Sequence, residues 1–346
     1  MVNKFLYKIY NHFAANPKSF VHSVFIALLG EERYSNLMNA METLPIQDSY
    51  KKTGKLNSRF KKGVVFMCDG RIYNTGLADR LRAICSVYNW CKNNNVDFYI
   101  FFNTPFKLSD YLAPNKKQWI IEESELLFNS EQASPAAIIS FNGIFGEENS
   151  FRYHRKALDG LLDRTTKQIH LYSNTYCYDS EFYTNFHELF KFSDALLSDI
   201  NRFSEEIGSK YVSVSFRFAQ LLGDLKDTFG KPLPEDKKQL IMDKCKNSIA
   251  TIKRNHPECS KVLVTSDSTT FISYISDLDY IYLLPGSVGH IANEVSEDVV
   301  KKIFWDMLMI SKAEKVYMIR TQEMFKSGFA KRAALIGNVQ FEEVLI

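Results

Sequence analysis

The sequence predicts an α/β protein with two Rossmann-like domains that face one cleft, preceded by a helical N-terminal arm. Three observations support this fold class. Strand-like and helix-like stretches alternate from residue 63 onward, a second alternating series begins at residue 209, and 346 residues with 45% hydrophobic content are enough for two cores. We therefore divide the chain into residues 1–62, 63–208 and 209–346, which are the arm with its basic linker and the two domains.

The arm contains an apolar stretch and a basic one. "KSFVHSVFIALLGEE" (18–32) weakly resembles a signal peptide, but it lacks a small-residue cleavage site and is too short to span a bilayer. Before it, "NKFLYKIYNHF" has helical apolar spacing, which fits a membrane-surface helix or a helix packed on the domain. After it, "SYKKTGKLNSRFKKG" (49–63) has six basic residues and no acidic one, as in a solvated linker or a segment that contacts anionic lipid. Peripheral membrane contact through the arm is therefore one expectation.

Charge and cysteine usage limit the function classes. The formal net charge of +3 is small beside 43 basic and 40 acidic residues, so nucleic acid is not an expected partner. The cysteines are scattered without a Cys-x-x-Cys pair, which indicates free thiols in a reducing compartment. We expect a cytoplasmic chain, placed at the inner face of the membrane if the arm binds lipid. The cysteines are Cys68, Cys85, Cys91, Cys177, Cys245 and Cys259.

The first alternating series starts with a short apolar strand, "VVFMCDG" (64–70), and an amphipathic helix, "GLADRLRAICSVYNWCKNN" (76–94). The strand "DFYIFF" (97–102) follows. Further strands are predicted at "WIIEE", "AAIISF" and "IHLYSN", and helices within 180–207. The aromatic segment 174–192 fits either core packing or an acceptor groove.

The second series starts with "YVSVSFRF" and a helix over 235–254. The strand "KVLVTSD" (261–267), a short helix and the strand "YIYLLPG" come next. The series closes with the helix "SEDVVKKIFWDMLMISKA", the strand "KVYMI" and the helix "SGFAKRAALIG". The order of these elements predicts a mainly parallel sheet covered by helices.

One candidate site lies at the start of the first series. Gly76 opens a helix directly after a strand and a turn, so backbone N–H groups point beyond the strand end. Arg80 and Arg82 lie in the first two helical turns, where the helix dipole disfavours cations unless an anion or a packing requirement offsets it. A salt-bridged or solvated arginine pair is the alternative.

A second candidate site lies at the end of "YVSVSFRF". One face of this strand carries Ser213, Ser215 and Arg217, and ligands of open α/β sheets bind at the carboxyl ends of the strands. A guanidinium matches phosphate oxygens, and burying it without an anion costs several kcal/mol. The alternative is an ion pair with a nearby carboxylate, Asp224 or Asp267.

The third candidate site is C-terminal. Asp267 and Ser268 follow the strand "KVLVTSD", and the Asp267 carboxylate either accepts from a base or ribose or caps the next helix. Ser327 and Gly328 begin a helix after a strand, which offers unpaired N–H donors to a diphosphate or to a loop.

The set "NTGLADRLRA", "VSVSFRFAQ", "VTSDSTTF" and "FWDMLMISKAEKVYMIRTQEMFKSGFAKRAALIGN", in this order, resembles the fucosyltransferase superfamily of nodulation and core α1,6-, α1,2- and protein O-fucosyltransferases. The likeness covers roughly residues 63–340. It implies the two-domain GT-B arrangement, with the acceptor on the side of 63–208 and the nucleotide sugar on 209–346. It also implies transfer of fucose from GDP-fucose to a glycan or lipid-linked glycan, with inversion and with no metal or other cofactor.

The resemblance assigns roles to individual residues. Arg217 matches the first arginine of the family's HxRRxD motif and would hold the donor diphosphate, whereas Ser215, Phe218 and Gln220 replace the histidine, the second arginine and the acid. These departures put the contacts to the donor's sugar and base in doubt. The family's glycine-rich loop corresponds to "TGLADRLRA", where Asp79 stands in place of a common asparagine.

The remaining carried-over positions lie further along the chain. Asp267 would contact the nucleoside with Ser268 beside it, and Ser327, Gly328 and Phe329 would lie under the phosphates. The family's acidic base has no counterpart: Leu225 occupies its place, and Asp224 and Asp227 on either side are our first and second candidates. Transfer without a strong base is the alternative.

Two other functions remain open. A metal-dependent GT-A transferase would use an Asp-x-Asp motif, and "DLD" at 277–279 fits that pattern, but it precedes a strand and we interpret it as a turn. A catalytically silent protein that binds a sugar nucleotide or a glycan is favoured by the altered HxRRxD-like motif. A transferase with a different donor sugar is a further alternative.

Overall fold

The computed structural model describes residues 20–54, 62–72, 76–139, 142–174, 179–224, 231–289 and 296–346. The chain separates into two compact units. Unit 1 consists of Met1–Thr75, Asp79–Ser109 and Pro114–Phe190, and unit 2 of Gly76–Ala78, Asp110–Ala113 and Lys191–Ile346. The predicted helix at 3–13 and residues 55–61 of the basic linker lie outside the described residues.

Unit 1 contains a four-stranded parallel sheet in the order β2-β1-β5-β4. The β1 strand is buried along its whole length, as expected for a parallel strand covered on both faces. The elements of this part of the chain are α1 (Phe20–Leu29), α2 (Glu31–Gln47), β1 (Gly63–Cys68), α3 (Leu77–Asn93), β2 (Asp97–Phe102), β3 (Leu112–Pro114), β4 (Ala133–Ile138), α4 (Asn142–Phe145), α5 (Glu147–Asp159), β5 (Gln168–Ser173) and α6 (Asp179–Leu189).

The helix α2 is bound to the edge strand of this sheet. Thr43 Oγ1 accepts from the Ala137 N–H at 3.0 Å, and Asn39 Oδ1 accepts from the Ile139 N–H at 3.0 Å. These side chains occupy backbone donors that an edge strand would otherwise leave unpaired. The arm is therefore an integral part of unit 1 from α2 onward.

Unit 2 contains a five-stranded parallel sheet in the order β11-β10-β7-β8-β9. The central strand β7 is buried throughout. The elements are β6 (Phe190–Phe192), α7 (Asp194–Ile207), β7 (Tyr211–Phe216), α8 (Glu235–Asn255), β8 (Lys261–Ser266), α9 (Thr269–Ile275), β9 (Ile281–Tyr282), α10 (Glu297–Ser311), β10 (Lys315–Arg320), α11 (Phe329–Gly337) and β11 (Gln340–Leu345).

The helix α7 groups with unit 2, although the predicted domain boundary falls after it, at residue 208. The reason is packing: the Phe203 ring meets the Trp305 indole of α10 edge-on at 5.2 Å, and Trp305 Nε1 donates to Asp199 at 3.1 Å. The α/β fold class with two parallel, helix-covered sheets is confirmed.

Several local predictions differ from the structure. "WIIEE" is not a strand: it adds one bridge, Ile100 to Ile120, and continues into a 3-10 helix at Glu123–Glu125. The strand predicted at "AAIISF" begins earlier, at Ala133, and includes Pro135. The final strand β11 was not predicted, since its sequence carries two glutamates. In the aromatic segment, Phe182, Phe186 and Phe190 lie in the core.

The five cysteines within the described residues are free and buried, as predicted. Cys177 lies outside the described ranges. In the described part of the chain, no helix combines the length and the apolar character that crossing a membrane requires.

Candidate functional site

The candidate site of unit 2 is the carboxyl edge of its sheet. The strands β10, β7 and β8 are adjacent and parallel, with Met318 opposite Ser215 and Phe216 opposite Ser266. Their connections therefore leave the sheet at neighbouring positions, after Phe216, Ser266 and Arg320. This is the edge at which open α/β sheets bind ligands.

Arg217 and Asp267 form an ion pair at this edge. The Arg217 Nη1 to Asp267 Oδ2 distance is 2.9 Å, and the two side chains are only 13% and 7% exposed. The alternative that the sequence left open, a carboxylate partner for Arg217, is what the structure contains. Because a buried guanidinium requires an anion, Asp267 supplies the charge that holds Arg217 at the strand end.

Asp267 also holds the backbone that follows Arg217. The Phe218 N–H donates to Oδ1 and the Ala219 N–H to Oδ2, each at 2.8 Å. Ala219 has φ +53, a left-handed conformation that is uncommon for a residue with a side chain, so these two bonds stabilise a turn the backbone would otherwise disfavour. Burial raises the pKa of Asp267, while Arg217 and the two amide donors act to lower it.

The residue after Arg217 belongs to the core. Phe218 is fully buried, and its ring lies 4.9 Å from that of Phe271 and 6.1 Å from that of Phe216. The position that the resemblance assigns to a second arginine therefore contributes packing and no charge. Ser215 is also buried, and its hydroxyl pairs with Thr265 at 2.7 Å.

Asp224 is bound to the N-terminus of α9. Its Oδ2 accepts from the Thr270 N–H at 2.7 Å, from Ser268 Oγ at 2.8 Å and from Thr269 Oγ1 at 3.1 Å. Burial acts to raise the pKa of Asp224, but these hydrogen bonds outweigh it and hold the pKa below its ordinary value. Asp224 is thus an ionised group with a structural task, and its role as a base stays a prediction. Asp227 lies outside the described residues.

Ser268 is the N-cap of α9, which the sequence analysis offered as an alternative role for Asp267. Its Oγ accepts from the Phe271 N–H at 3.1 Å. The segment 217–224 is therefore fastened to the connection between β8 and α9 twice, through Asp267 at its start and through Asp224 at its end.

The helix α11 begins at the same edge, after β10. Ser327 Oγ accepts from the Phe329 N–H at 3.2 Å, and Gly328 precedes the first helical residue. A Cβ added to Gly328 would have no heavy atom within 4 Å, and its φ of −83° suits any residue. No side chain at Gly328 therefore lies over the start of this helix, where backbone N–H groups without a helical partner favour anions.

Gly76 and Arg80 belong to the first series. Gly76 directly precedes α3, and Arg80 is buried in its first turn, where Nη1 donates to the Thr104 carbonyl at 3.0 Å. Arg82 pairs with Asp79 at 2.9 Å, so the salt-bridged alternative holds for Arg82. A direct role of Gly76 or Arg80 in binding stays a prediction.

A polar cluster that was not predicted from the sequence lies at the carboxyl edge of the unit 1 sheet. Asp69 follows β1, pairs with Arg71 at 2.6 Å and accepts from Tyr172 Oη at 2.9 Å. The Arg71 guanidinium lies 4.6 Å from the centre of the Phe128 ring. The available signal was "DGR", charged residues directly after an apolar strand.

The "DLD" motif has no metal-site geometry. Asp277 is a largely exposed turn residue that pairs with Lys246 at 3.5 Å. Within the described ranges, the group of side chains close enough to hold a metal ion is a different one, His256, Glu258 and Cys259. The interpretation of "DLD" as a turn is confirmed.

Comparisons with known proteins bear on the fold. No protein-family model matches the sequence, and no curated protein matches it. The fucosyltransferase NodZ from Bradyrhizobium matches with a TM-score of 0.50 and 15% identity over 80% of this chain and 93% of that one. NodZ α-1,6-fucosyltransferase soaked with GDP-fucose matches with a TM-score of 0.50 and 16% identity, over 80% of this chain and 93% of that one. A mutant of Arabidopsis thaliana FUT1 in complex with GDP matches with a TM-score of 0.51 and 13% identity, over 92% of this chain and 78% of that one. The chain has the fold of these fucosyltransferases.

Proposed function

We propose that the chain is an inverting, metal-independent glycosyltransferase that transfers fucose from GDP-fucose to a hydroxyl group of a glycan acceptor. One observation carries the proposal: Arg217 is held by Asp267 at the carboxyl edge of the unit 2 sheet, one strand away from the connection to α11. Solved proteins of this fold contain GDP or GDP-fucose, which supports a GDP-sugar as donor.

In this proposal, unit 2 binds the donor. Arg217 and the N–H groups at Ser327 and Gly328 face the diphosphate, which gains negative charge as it leaves the sugar, and Phe329 belongs to the same turn through its N–H bond to Ser327 Oγ. Each preorganised donor of this kind is worth about 3–4 kcal/mol of transition-state stabilisation. Such contacts replace a metal ion as the stabiliser of the leaving group, so no cofactor is required. Gly76, Ser215, Asp267 and Ser268 complete the proposed donor-binding set of unit 2, and a donor-binding role of Arg80, in unit 1, stays a prediction.

The acceptor hydroxyl attacks from the face opposite the diphosphate. Asp224 is the described candidate for taking up its proton, and its lowered pKa makes it a weak base. We therefore propose that leaving-group stabilisation supplies most of the rate acceleration. Asp227 remains the second candidate.

Unit 1 binds the acceptor in this proposal. Asp69, Arg71, Tyr172 and Phe128 combine a carboxylate, a guanidinium, a phenol and an aromatic ring at one sheet edge. Sugar hydroxyls pair with such polar groups while sugar faces pack on the ring. The acceptor class is a glycan or a lipid-linked glycan, and the location is cytoplasmic, with peripheral contact to the inner face of the membrane.

The test combines binding and turnover. A thermal-shift series with GDP, UDP and CDP is expected to respond to GDP, because a ligand that binds the folded state raises its melting temperature. Release of GDP from GDP-fucose is expected to persist in excess chelator. Arg217→Ala is expected to abolish release, whereas Arg202→Ala, an exposed surface arginine, leaves it unchanged. Stabilisation by UDP alone, or loss of turnover on chelation, contradicts the proposal.

A second candidate is a catalytically silent protein that binds a sugar nucleotide. Two observations favour it: Phe218 is buried where the resemblance implies an arginine, and Asp224 is engaged by α9. Tight GDP binding without transfer or donor hydrolysis over a panel of glycan acceptors identifies this function. Turnover that depends on Arg217 excludes it.

A further inference from the structure

The helix α1 exposes an apolar face on unit 1. Its ten residues, "FVHSVFIALL", contain no charged side chain. One face contacts α2, where His22 Nδ1 pairs with the Tyr34 hydroxyl at 2.8 Å. On the other face, Phe20 and Leu28 are 79% and 74% exposed, with Val24 between them at helical spacing. Contiguous exposed apolar surface of this kind marks an interaction site.

Basic residues adjoin the C-terminal end of this face. Leu29 lines an open cavity of about 690 Å³ together with Arg33, Arg152 and Lys156. Two acids share the cavity and are engaged within it: Glu32 pairs with Lys156 at 2.5 Å, and Glu31 accepts from the Tyr153 hydroxyl. With three cations and two acids, the side chains that line the cavity carry a net charge of +1.

The sequence before α1 has the same charge sign. Residues 1–19 contain Lys4, Lys8 and Lys18 and no acidic residue. An uncharged apolar helix is therefore accompanied by cations on its chain and on its neighbouring surface. An apolar face bordered by basic groups is the combination that binds an interfacial helix to anionic lipid.

The size of the face argues against a second copy of this chain as the occupant. Ten helical residues extend about 15 Å, with a width of about 10 Å including side chains. A stable protein–protein interface buries about 800 Å² on each partner, which one face of so short a helix does not supply. A membrane interface needs only shallow insertion of a few apolar side chains, reinforced by charge.

We propose that α1 lies in the headgroup–acyl boundary of a membrane that contains anionic lipid. Phe20, Val24 and Leu28 enter the acyl boundary, and the cations of the Leu29 cavity contact lipid phosphates. This inference does not depend on the proposed sugar transfer, since its readout is binding to lipid vesicles in the absence of any sugar nucleotide.

The first test is sedimentation of the full chain with vesicles of phosphatidylcholine, alone or mixed with phosphatidylglycerol. Binding is expected to the anionic vesicles and to be at least about tenfold weaker to the neutral ones. The double variant Phe20→Ser with Leu28→Ser is expected to weaken anionic-vesicle binding at least about tenfold. Both side chains are exposed, so the fold tolerates the change. Leu240→Ser, at an exposed leucine of α8, is the matched control and is expected to bind like the parent.

The second test changes the charges. Arg152→Gln with Lys156→Gln is expected to weaken binding to anionic vesicles about tenfold and to leave binding to neutral vesicles unchanged. Lys237→Gln with Lys244→Gln, on the exposed side of α8, is the control. Equal affinity for both vesicle types, or unchanged binding of the Phe20/Leu28 variant, overturns the proposal. The proposal is also overturned if the Phe20/Leu28 variant loses self-association in sedimentation velocity and still binds vesicles. That result would assign the face to a contact between copies of the chain.

Discussion

Replacing Asp267 with asparagine tests the arrangement around Arg217 most directly. The asparagine would keep the shape of the side chain, but it would leave the guanidinium without a counter-charge and turn an amide N–H group toward one of the two backbone donors. Removing one partner of a buried ion pair costs about 3–5 kcal/mol. An unsatisfied buried amide adds about 1–3 kcal/mol. Because the Arg217 side chain keeps 13% exposure to water, we expect a total near the low end of this sum, about 4 kcal/mol.

The change in the free energy of unfolding caused by Asp267→Asn is measured by urea unfolding of the full chain. Asp277→Asn is the matched control, since Asp277 forms an exposed ion pair with Lys246 at 3.5 Å. Such surface pairs are worth about 0–1 kcal/mol. If Asp267→Asn costs less than about 1 kcal/mol, the ion pair and the two amide bonds do not hold the turn.

Ligand binding by Asp267→Asn distinguishes two roles of Asp267, positioning Arg217 and contacting the nucleoside. If Asp267 positions Arg217, the affinities for GDP and for inorganic pyrophosphate are expected to fall together, by at least about tenfold. If it contacts the nucleoside, as the resemblance implies, the affinity for GDP falls and that for pyrophosphate stays. An unchanged affinity for both ligands refutes the positioning role.

Three further predictions concern the glycine before α11, Asp224 and two buried histidines. Gly328→Ala is expected to change the free energy of unfolding by less than about 1 kcal/mol, because the methyl group meets no atom within 4 Å. The same variant is expected to bind GDP more weakly in calorimetry. An unchanged affinity would place the diphosphate elsewhere. Asp224→Asn is expected to destabilise the chain by about 1–3 kcal/mol, and a loss of turnover above about 100-fold at a temperature where the variant is folded would instead identify a base. Burial lowers the pKa of His154 to about 4 and that of His170 to about 3. The unfolded chain therefore binds protons below its ordinary histidine pKa of about 6.5 while the folded chain does not, and the free energy of unfolding should fall by about 1 kcal/mol per histidine as the pH drops from about 6.5 to 5.5. His154→Gln should remove that histidine's share of the slope in urea titrations, and an unchanged slope would contradict its burial as a neutral group.

Apolar strands followed by turn residues were predictable from the sequence. The strands β1, β7, β8 and β10 have continuous apolar or small side chains, so burial of both faces can be inferred from composition. The edge strand β11 could not be found in this way. It pairs with β10 along its whole length, and Glu343 forms ion pairs with Arg320 at 2.6 Å and with Lys326 at 2.8 Å, partners that are remote in sequence.

The candidate site was predictable in part. The position of Arg217 follows from the alternation of β7, and a carboxylate partner was considered for it. The detailed geometry depends on two acids that bind backbone N–H groups, Asp267 at Phe218 and Ala219 and Asp224 at Thr270. Such contacts join segments about 45 residues apart and leave no periodic signal in the sequence. The left-handed conformation of Ala219 has no sequence signal either, since glycine or asparagine would be the usual residue.

Asp267 fastens the start of segment 217–224 through two main-chain N–H groups, those of Phe218 and Ala219. A backbone N–H is present at every position except proline, so the donors of these two hydrogen bonds do not depend on the side chains of Phe218 and Ala219. The two hydrogen bonds that hold the turn can therefore persist when a neighbouring side chain changes. A substitution at the partly exposed Gln220 can therefore alter what the turn recognises while Arg217 keeps its place at the strand end, whereas Ser215 and Phe218 are buried inside the unit.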